Sequence, residues 1–248
     1  MRVAGVDFAA AVERTAIVRL AWEPARIVVE DVRTAADDAA VEAAIVDADV
    51  AGVDVPFGWP DAFVDTVAAH HAGALVPSLD SGREWRRPRT NRLTDRDVAE
   101  SMGVNPLSVS ADRIGHAALR WAVIAARLAA AGRPVVRDGS AGVYEVYPAA
   151  SLRSWDLEPR AYKGKVRASE RALLLELIER ELRAVEWSGL RPLLVANEDA
   201  FDAFVAALTA RAARVGFTTA PLDRDVALRE GWIHVPVRVL RGIRPGSV

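Results

Sequence analysis

Short, nearly continuous apolar runs open the chain and then give way to stretches in which apolar positions recur every three or four residues. Arg2 to Phe8 is apolar around one Gly and one Asp, while Arg14 to Trp22 and Arg26 to Val32 are rich in Ile, Val, Leu and Trp. All three runs predict strands, and Glu23-Pro24 marks a turn between the second and third. From Ala35 to Ala48 the period changes: Val41 and Ile45 stand four apart, Thr34 is available as a cap, and a helix is predicted. Val50 to Val55 reads as a fourth strand. Three strands, a helix and a strand predict an antiparallel meander followed by a crossover to a strand parallel to the first.

Beyond Pro60 the pattern loosens. Asp61 to His71 predicts a short helix and Gly73 to Pro88 a loop. Thr94 to Met102 predicts a helix capped by Thr94, with Asp97 three residues on as in a capping box. Ser110 to Ala131 is a longer helix carrying Ile114, Leu119, Trp121, Ile124 and Leu128, closed by Gly132 and Pro134. Gly142 to Tyr147 returns to strand. The last third is mainly helical: Ser169 to Val185 carries Leu173, Leu174, Leu177, Ile178 and Leu182 on one stripe, and a second helix runs from Asn197 or Glu198 to Val215. Glu230 to Pro236 is a final extended segment. No internal repeat or low-complexity linker interrupts this order, so residues 1–248 read as one domain with an insertion at about 61–110.

Composition narrows the chemistry. The chain has 248 residues, 51% hydrophobic and 27% charged, with a formal net charge of −2. That is globular composition without a general basic coat, although a local basic patch remains open. Cysteine is absent, which excludes disulfides, thiolate metal sites and Cys nucleophiles. No apolar run is long enough to span a bilayer and none at the start reads as a signal segment, so the expected location is cytoplasmic, away from membranes.

The acids carry the most pointed signal. Gly5-Val-Asp7 and Gly52-Val-Asp54 repeat one motif at two strand ends, and the second is stopped by Pro56-Phe-Gly-Trp-Pro60. Glu145 lies in the strand Val143 to Tyr147. Asp202 lies among Ala and Phe in a helix, with Asp199 three residues earlier on nearly the same face. A carboxylate in an apolar strand is costly to bury unless it is paired. Several together suit a hard divalent cation, Mg²⁺ or Mn²⁺, and two such ions about 4 Å apart serve phosphodiester hydrolysis. Each acid also has a plainer explanation. A strand-end Asp caps turns, Glu145 can alternate outward, and Asp199 suits a helix N-terminus.

A basic segment follows the same logic. Arg83, Arg86, Arg87, Arg89, Arg92 and Arg96 surround Trp85. Arginine forks bind phosphate and Trp stacks on bases, so Trp85, Arg86, Arg87, Arg92 and Arg96 are candidate substrate contacts. Lys163 and Lys165, after a turn signalled by Pro159, are further candidates. The plainer alternative for all of them is a solvated loop.

Strand with Asp, two strands, helix, then strand with Asp resembles the ribonuclease-H-like fold. In their order, Gly5-Val-Asp7, Val53 to Pro60, Arg92-Leu-Thr-Asp-Arg96, Tyr144 to Pro148, Lys163-Gly-Lys165, Asp199-Ala-Phe-Asp-Ala203 and Glu230-Gly-Trp-Ile233 resemble the ribonuclease-H-like nuclease family catalogued as domain of unknown function 429. The resemblance implies an α/β fold with a ribonuclease-H-like mixed sheet and a helical and loop insertion after the fourth strand. It also implies that Asp7, Asp54 and Asp202 hold metal, with Glu145 or Asp199 completing the site. Asp199-x-x-Asp-Ala203 is similar to the His-x-x-Asp-Ala of Holliday-junction resolvases, with Asp for His. The expected activity is metal-dependent hydrolysis of nucleic acid, DNA or RNA. Two alternatives stand beside it: a non-catalytic binding or scaffold protein, and a relative of the actin-like ATPases and kinases. The second lacks its glycine-rich phosphate loop here, since Asp7 runs into Phe8-Ala-Ala-Ala11. Oligomeric state is not readable from the pattern.

Overall fold

The computed structural model describes residues 1–157 and 162–246, apart from the side chain of Lys165. Pro159, where a turn is expected, lies outside that set. In chain order come β1 (Arg2–Asp7), β2 (Ala16–Trp22), β3 (Ile27–Thr34), α1 (Asp38–Asp47) and β4 (Val50–Asp54). Between β4 and the long helix α5 (Ile114–Ala130) lie α2 (Asp61–His71), α3 (Arg83–Thr90) and α4 (Leu93–Met102). Then follow β5 (Val143–Val146), α6 (Pro148–Ser154), α7 (Ala168–Leu182), β6 (Val185–Glu186), α8 (Arg191–Ala196), α9 (Glu198–Arg214), α10 (Arg224–Glu230) and β7 (Ile233–His234).

Among the described residues the strands form one seven-stranded mixed sheet in the order β6-β3-β2-β1-β4-β5-β7. β1, β2 and β3 make the antiparallel meander; β4 lies parallel to β1, β5 to β4 and β7 to β5. Successive side chains on a strand point to opposite faces. Ala4, Val6, Ala51, Val53 and Val143 therefore pack with Val41 and Ile45 of α1 and with Trp121, Ile124 and Leu128 of α5. Val3, Val18, Leu20, Val50 and Val146 face Phe201, Phe204 and Leu208 of α9 and Leu174, Leu175 and Ile178 of α7. Each large side chain so buried contributes roughly 1.5–3 kcal/mol.

α9 is the unusual helix. It is buried on nearly every side, where a surface helix would show one apolar stripe. It reaches that depth because Gly5 and Gly52 offer no side chain beneath it. A Cβ on Gly5 would strike the backbone of Ala203 and Ala207, and one on Gly52 the backbone of Ala206. Glycine on the strands and alanine on the helix let the two backbones approach closely.

Several expected boundaries shift for identifiable reasons. The segment expected to be loop up to Pro88 forms helix from Arg83, and the Arg89 guanidinium lies 3.7 Å from the centroid of the Trp85 ring. α4 starts at Leu93, ahead of Thr94: the Arg92 N–H donates to Asp95 at 2.8 Å, so Asp95 takes the part expected of Asp97. The Thr94 hydroxyl instead accepts the Ile233 N–H at 2.8 Å. Asp37, not Thr34, caps α1, accepting from Ala40 at 2.9 Å while Thr34 extends β3. α5 begins four residues after the expected Ser110. Leu119 and Leu173, expected in the core, are exposed, and Leu175 is buried in place of the latter. α6, α8, α10 and β6 are too short to establish a period in the sequence. Among the described residues no helix is long and apolar enough to cross a membrane.

The close approach of α9 gives a direct test. Gly5→Ala or Gly52→Ala forces the helix off the sheet, and urea unfolding is expected to show a loss of about 1–3 kcal/mol or more. Wild-type stability in both variants would mean that α9 does not rest on these glycines.

Candidate functional site

The repeated Gly-Val-Asp motif is a literal alignment in the fold. β1 and β4 run parallel with Gly5 opposite Gly52, Val6 opposite Val53 and Asp7 opposite Asp54. Both carboxylates therefore leave the carboxyl ends of adjacent parallel strands, where open α/β sheets present their crevice. By the pleat, Asp7 and Asp54 share a face with Gly5 and Gly52, the face on which α9 lies. Asp202 precedes Ala203 on α9 and is carried to the same place by the glycine contact. All three line a cleft of about 490 Å³.

Electrostatics registers the crowding. Burial, then Asp202 and Asp54, push the Asp7 carboxyl well above the usual carboxylate range. Asp54 is pushed up to about 7, chiefly by burial and then by Asp202 and Glu145, with Lys163 pulling the other way. Burial also raises Asp202, opposed by two contacts: Lys163 Nζ lies 2.8 Å from one oxygen, and the Tyr162 hydroxyl donates to the other at 2.7 Å. Asp7 and Asp54 have no hydrogen-bond or ion-pair partner among the described residues. Lys163 is thus the positive charge closest to three acids.

Asp199 lines the cleft but is otherwise engaged. Both its oxygens accept from the fork of Arg14, at 3.0 and 2.7 Å. Arg14 also pairs with Glu198 at 2.8 Å, and Glu198 accepts the Gly164 N–H. This ties the segment after β1 to the start of α9 and to the strap that carries Lys163.

Glu145 lines the same cleft but leaves its strand on the other face from Asp7 and Asp54, and the pleat explains why. It pairs with Val53 rather than Asp54, so it leaves β5 toward the opposite face of the sheet. There it meets Arg92, which the sequence offered as a phosphate contact and which is only 1% exposed. Arg92 donates to both Glu145 oxygens at 2.9 and 2.6 Å, to Asp95 at 3.1 and 2.8 Å, and to the Glu230 carbonyl at 3.1 Å. The Phe57 N–H adds a bond to Glu145 at 2.9 Å. The Glu230 carboxylate accepts from Asp61 and Leu93, each at 2.8 Å. Four of the quoted segments, around Phe57, Arg92, Glu145 and Glu230, therefore meet in one buried ionic network that docks the insertion onto the sheet. Glu145 and Arg92 also line the carboxylate cleft, each already paired with the other.

The remaining candidates lie elsewhere. Trp85 is covered on one face by Arg89. Arg86, Arg87 and Arg96 line a neighbouring cavity rather than the cleft. The Lys165 side chain lies outside the described residues. Tyr162, Arg14 and Arg113 also border the site, with no local pattern to mark them. Tyr162 adjoins a quoted motif, but nothing in it signals a bond to Asp202. Arg14 reaches partners 184 and 185 residues further along the chain.

Among the described residues, no three or more His, Cys, Asp and Glu side chains stand in the geometry of a ready-made metal site. The donor chemistry nonetheless fits a hard divalent cation. Asp7 and Asp54 present oxygen ligands without competing hydrogen bonds, beside a third buried carboxylate, and their mutual repulsion is what a cation relieves.

The fold and site define an α/β protein with a carboxylate cluster at the switch from antiparallel to parallel strands. A family model described as "Protein of unknown function (DUF429)" matches residues 5–226, and the chain belongs to that family. No curated protein and no solved structure matches it.

Two outcomes test this geometry. Because the folded-state value for Asp54 (about 7) lies above its ordinary 3.8, its favourable share of stability is complete below pH 3.8 and is lost as pH rises through 7. Without divalent ions, Asp54→Asn is expected to melt higher than wild type at pH 8; a lower melting temperature would contradict the crowding. Arg92→Ala strands two buried acids and is expected to cost about 3–5 kcal/mol in urea unfolding. Arg96→Ala should stay within about 0.5 kcal/mol, and equal losses would remove the distinction.

Proposed function

We propose that this protein is a divalent-metal-dependent phosphodiesterase acting on nucleic acid, a ribonuclease-H-like nuclease. The observation that carries the reading is the in-register pair Asp7 and Asp54, with Asp202 delivered from α9 into the same cleft. The order β3-β2-β1-β4-β5, antiparallel then parallel, supports the finer fold assignment. Asp7, Asp54 and Asp202 would hold Mg²⁺ or Mn²⁺. When bound, the ion supplies Lewis acidity that generates the attacking hydroxide and stabilises the leaving oxygen.

The chain's own groups prepare that chemistry. Tyr162 fixes one oxygen of Asp202, and Lys163 offsets part of the cluster's charge from the other side. Arg113 lines the cleft without a side-chain partner among the described residues and is placed to meet a backbone phosphate. Arg14 holds Asp199 and so steadies the loop after β1. Phe8, Leu107 and Ile114 provide an apolar wall, against which electrostatic interactions are less screened by water.

Calorimetry with Mn²⁺ and a cleavage assay on DNA and RNA test the reading together. Wild type is expected to bind the ion and cut, and Asp7→Asn to lose both. Undiminished Mn²⁺-dependent cleavage by Asp7→Asn would overturn the assignment, and no Mn²⁺ binding at millimolar concentration would favour a scaffold.

A further inference from the structure

Next to the carboxylate cleft, and sharing Asp95 and Pro106 with it, is a second cavity of about 270 Å³. Arg83, Arg86 and Arg87 enter it from α3 or its start, and Arg96 enters from α4. Four guanidinium groups around one small space are a local departure from a chain whose net charge is −2. The one acid in the lining is Asp95, and both its oxygens already accept from Arg92. Arg87 pairs with the exposed Glu100, and Arg86 donates to the Ser81 carbonyl. Arg83 and Arg96 have neither an ion-pair nor a side-chain hydrogen-bond partner among the described residues. Asn91 and Asn105 add neutral amides to the wall, and the Asn91 carbonyl oxygen is occupied by the Thr90 hydroxyl at 3.0 Å, which leaves its NH₂ to donate. The cavity therefore offers many donors and an uncompensated positive charge.

We infer that this cavity binds a phosphate monoester, and that the monoester is the terminal phosphate of the nucleic-acid strand whose interior enters the adjacent cleft. This rests on the nuclease reading above for the identity of the strand. A monoester carries about −1.5 to −2 at pH 7 and matches several arginine forks better than the single charge of an interior diester does. Arg96 lies on α4, whose first turn Arg92 fastens to β5 and α10, and α3 ends two residues before Arg92. The consequence is end recognition: the enzyme would distinguish a phosphorylated terminus from a hydroxyl one.

Fluorescence polarisation on the full chain in EDTA, where no cleavage occurs, tests this with labelled oligonucleotides ending in 5′-phosphate, 3′-phosphate or hydroxyl. One phosphorylated end is expected to bind about tenfold or more tighter than the hydroxyl end. The double variant Arg83→Ala with Arg96→Ala should abolish that preference and leave the affinity for the hydroxyl oligonucleotide near wild type. Equal binding of all three, or a preference that survives in the double variant, overturns the proposal. Competition by inorganic phosphate or a free nucleoside monophosphate at concentrations equal to the oligonucleotide would overturn the strand-end assignment in favour of a small phosphate ligand. The two readings fail separately. End preference without Mn²⁺-dependent cleavage by wild type supports the cavity and sinks the nuclease, and cleavage without end preference does the reverse.

Discussion

The contact between α9 and the glycines of β1 and β4 sets the distances on which the rest of the site depends. An ordinary side chain at Gly5 or Gly52 would hold the helix away from the sheet, and Asp202 would then stand too far from Asp7 and Asp54 to feel them. With glycine beneath and alanine above, the helix settles onto the strands and three acids crowd into one place. The crowding is unfavourable in itself, because burial and repulsion both disfavour the charged forms. It persists because the apolar packing of Phe201, Phe204 and Leu208 along the same helix supplies more free energy than the acids cost. Stability is spent here to hold three acids together in one cleft.

The alternation of the sheet divides the labour among acids that look alike. Asp7 and Asp54 fall on one face and Glu145 on the other, a difference of one residue in parity. The first pair faces a cleft with little to satisfy it, while Glu145 receives two bonds from a buried arginine and one from the Phe57 backbone. The same amino-acid chemistry thus yields two carboxylates free of hydrogen bonds on one face and a satisfied ion network on the other, both bordering one cleft.

Much of the central architecture was legible in the chain. β1 to β4 and α1 follow from runs of Val, Ile and Leu and from the change of period at Ala35. The Gly-Val-Asp echo places Asp7 and Asp54 at one end of the sheet, as the register shows. What could not be read was anything that depended on facing. Arg92 and Arg96 are indistinguishable by type and spacing, yet Arg92 is buried against Glu145 and Asp95 while Arg96 has no such partner among the described residues. The face that Glu145 takes depends on pairing register, which is a property of two strands and not of one. Leu173 and Leu175 exchanged places because a helix with consecutive leucines leaves its phase ambiguous. The bond from Tyr162 to Asp202 and the fork of Arg14 on Asp199 join positions far apart in sequence, and no local pattern encodes them.

The ionic network around Arg92 also acts as a fixed gauge. It fastens α4 to β5 and to the end of α10 through charges that cannot separate without leaving one of them bare in the interior. Arg92, Asp95 and Glu145 line the carboxylate cleft and Asp95 also lines the arginine cavity, so the fastening is the wall the two share and it fixes the interval between them. A strand seated by its end in the cavity and cut in the cleft would be measured by this interval and not by its own sequence. The fragments released would then share one length, set by protein geometry and indifferent to the order of bases.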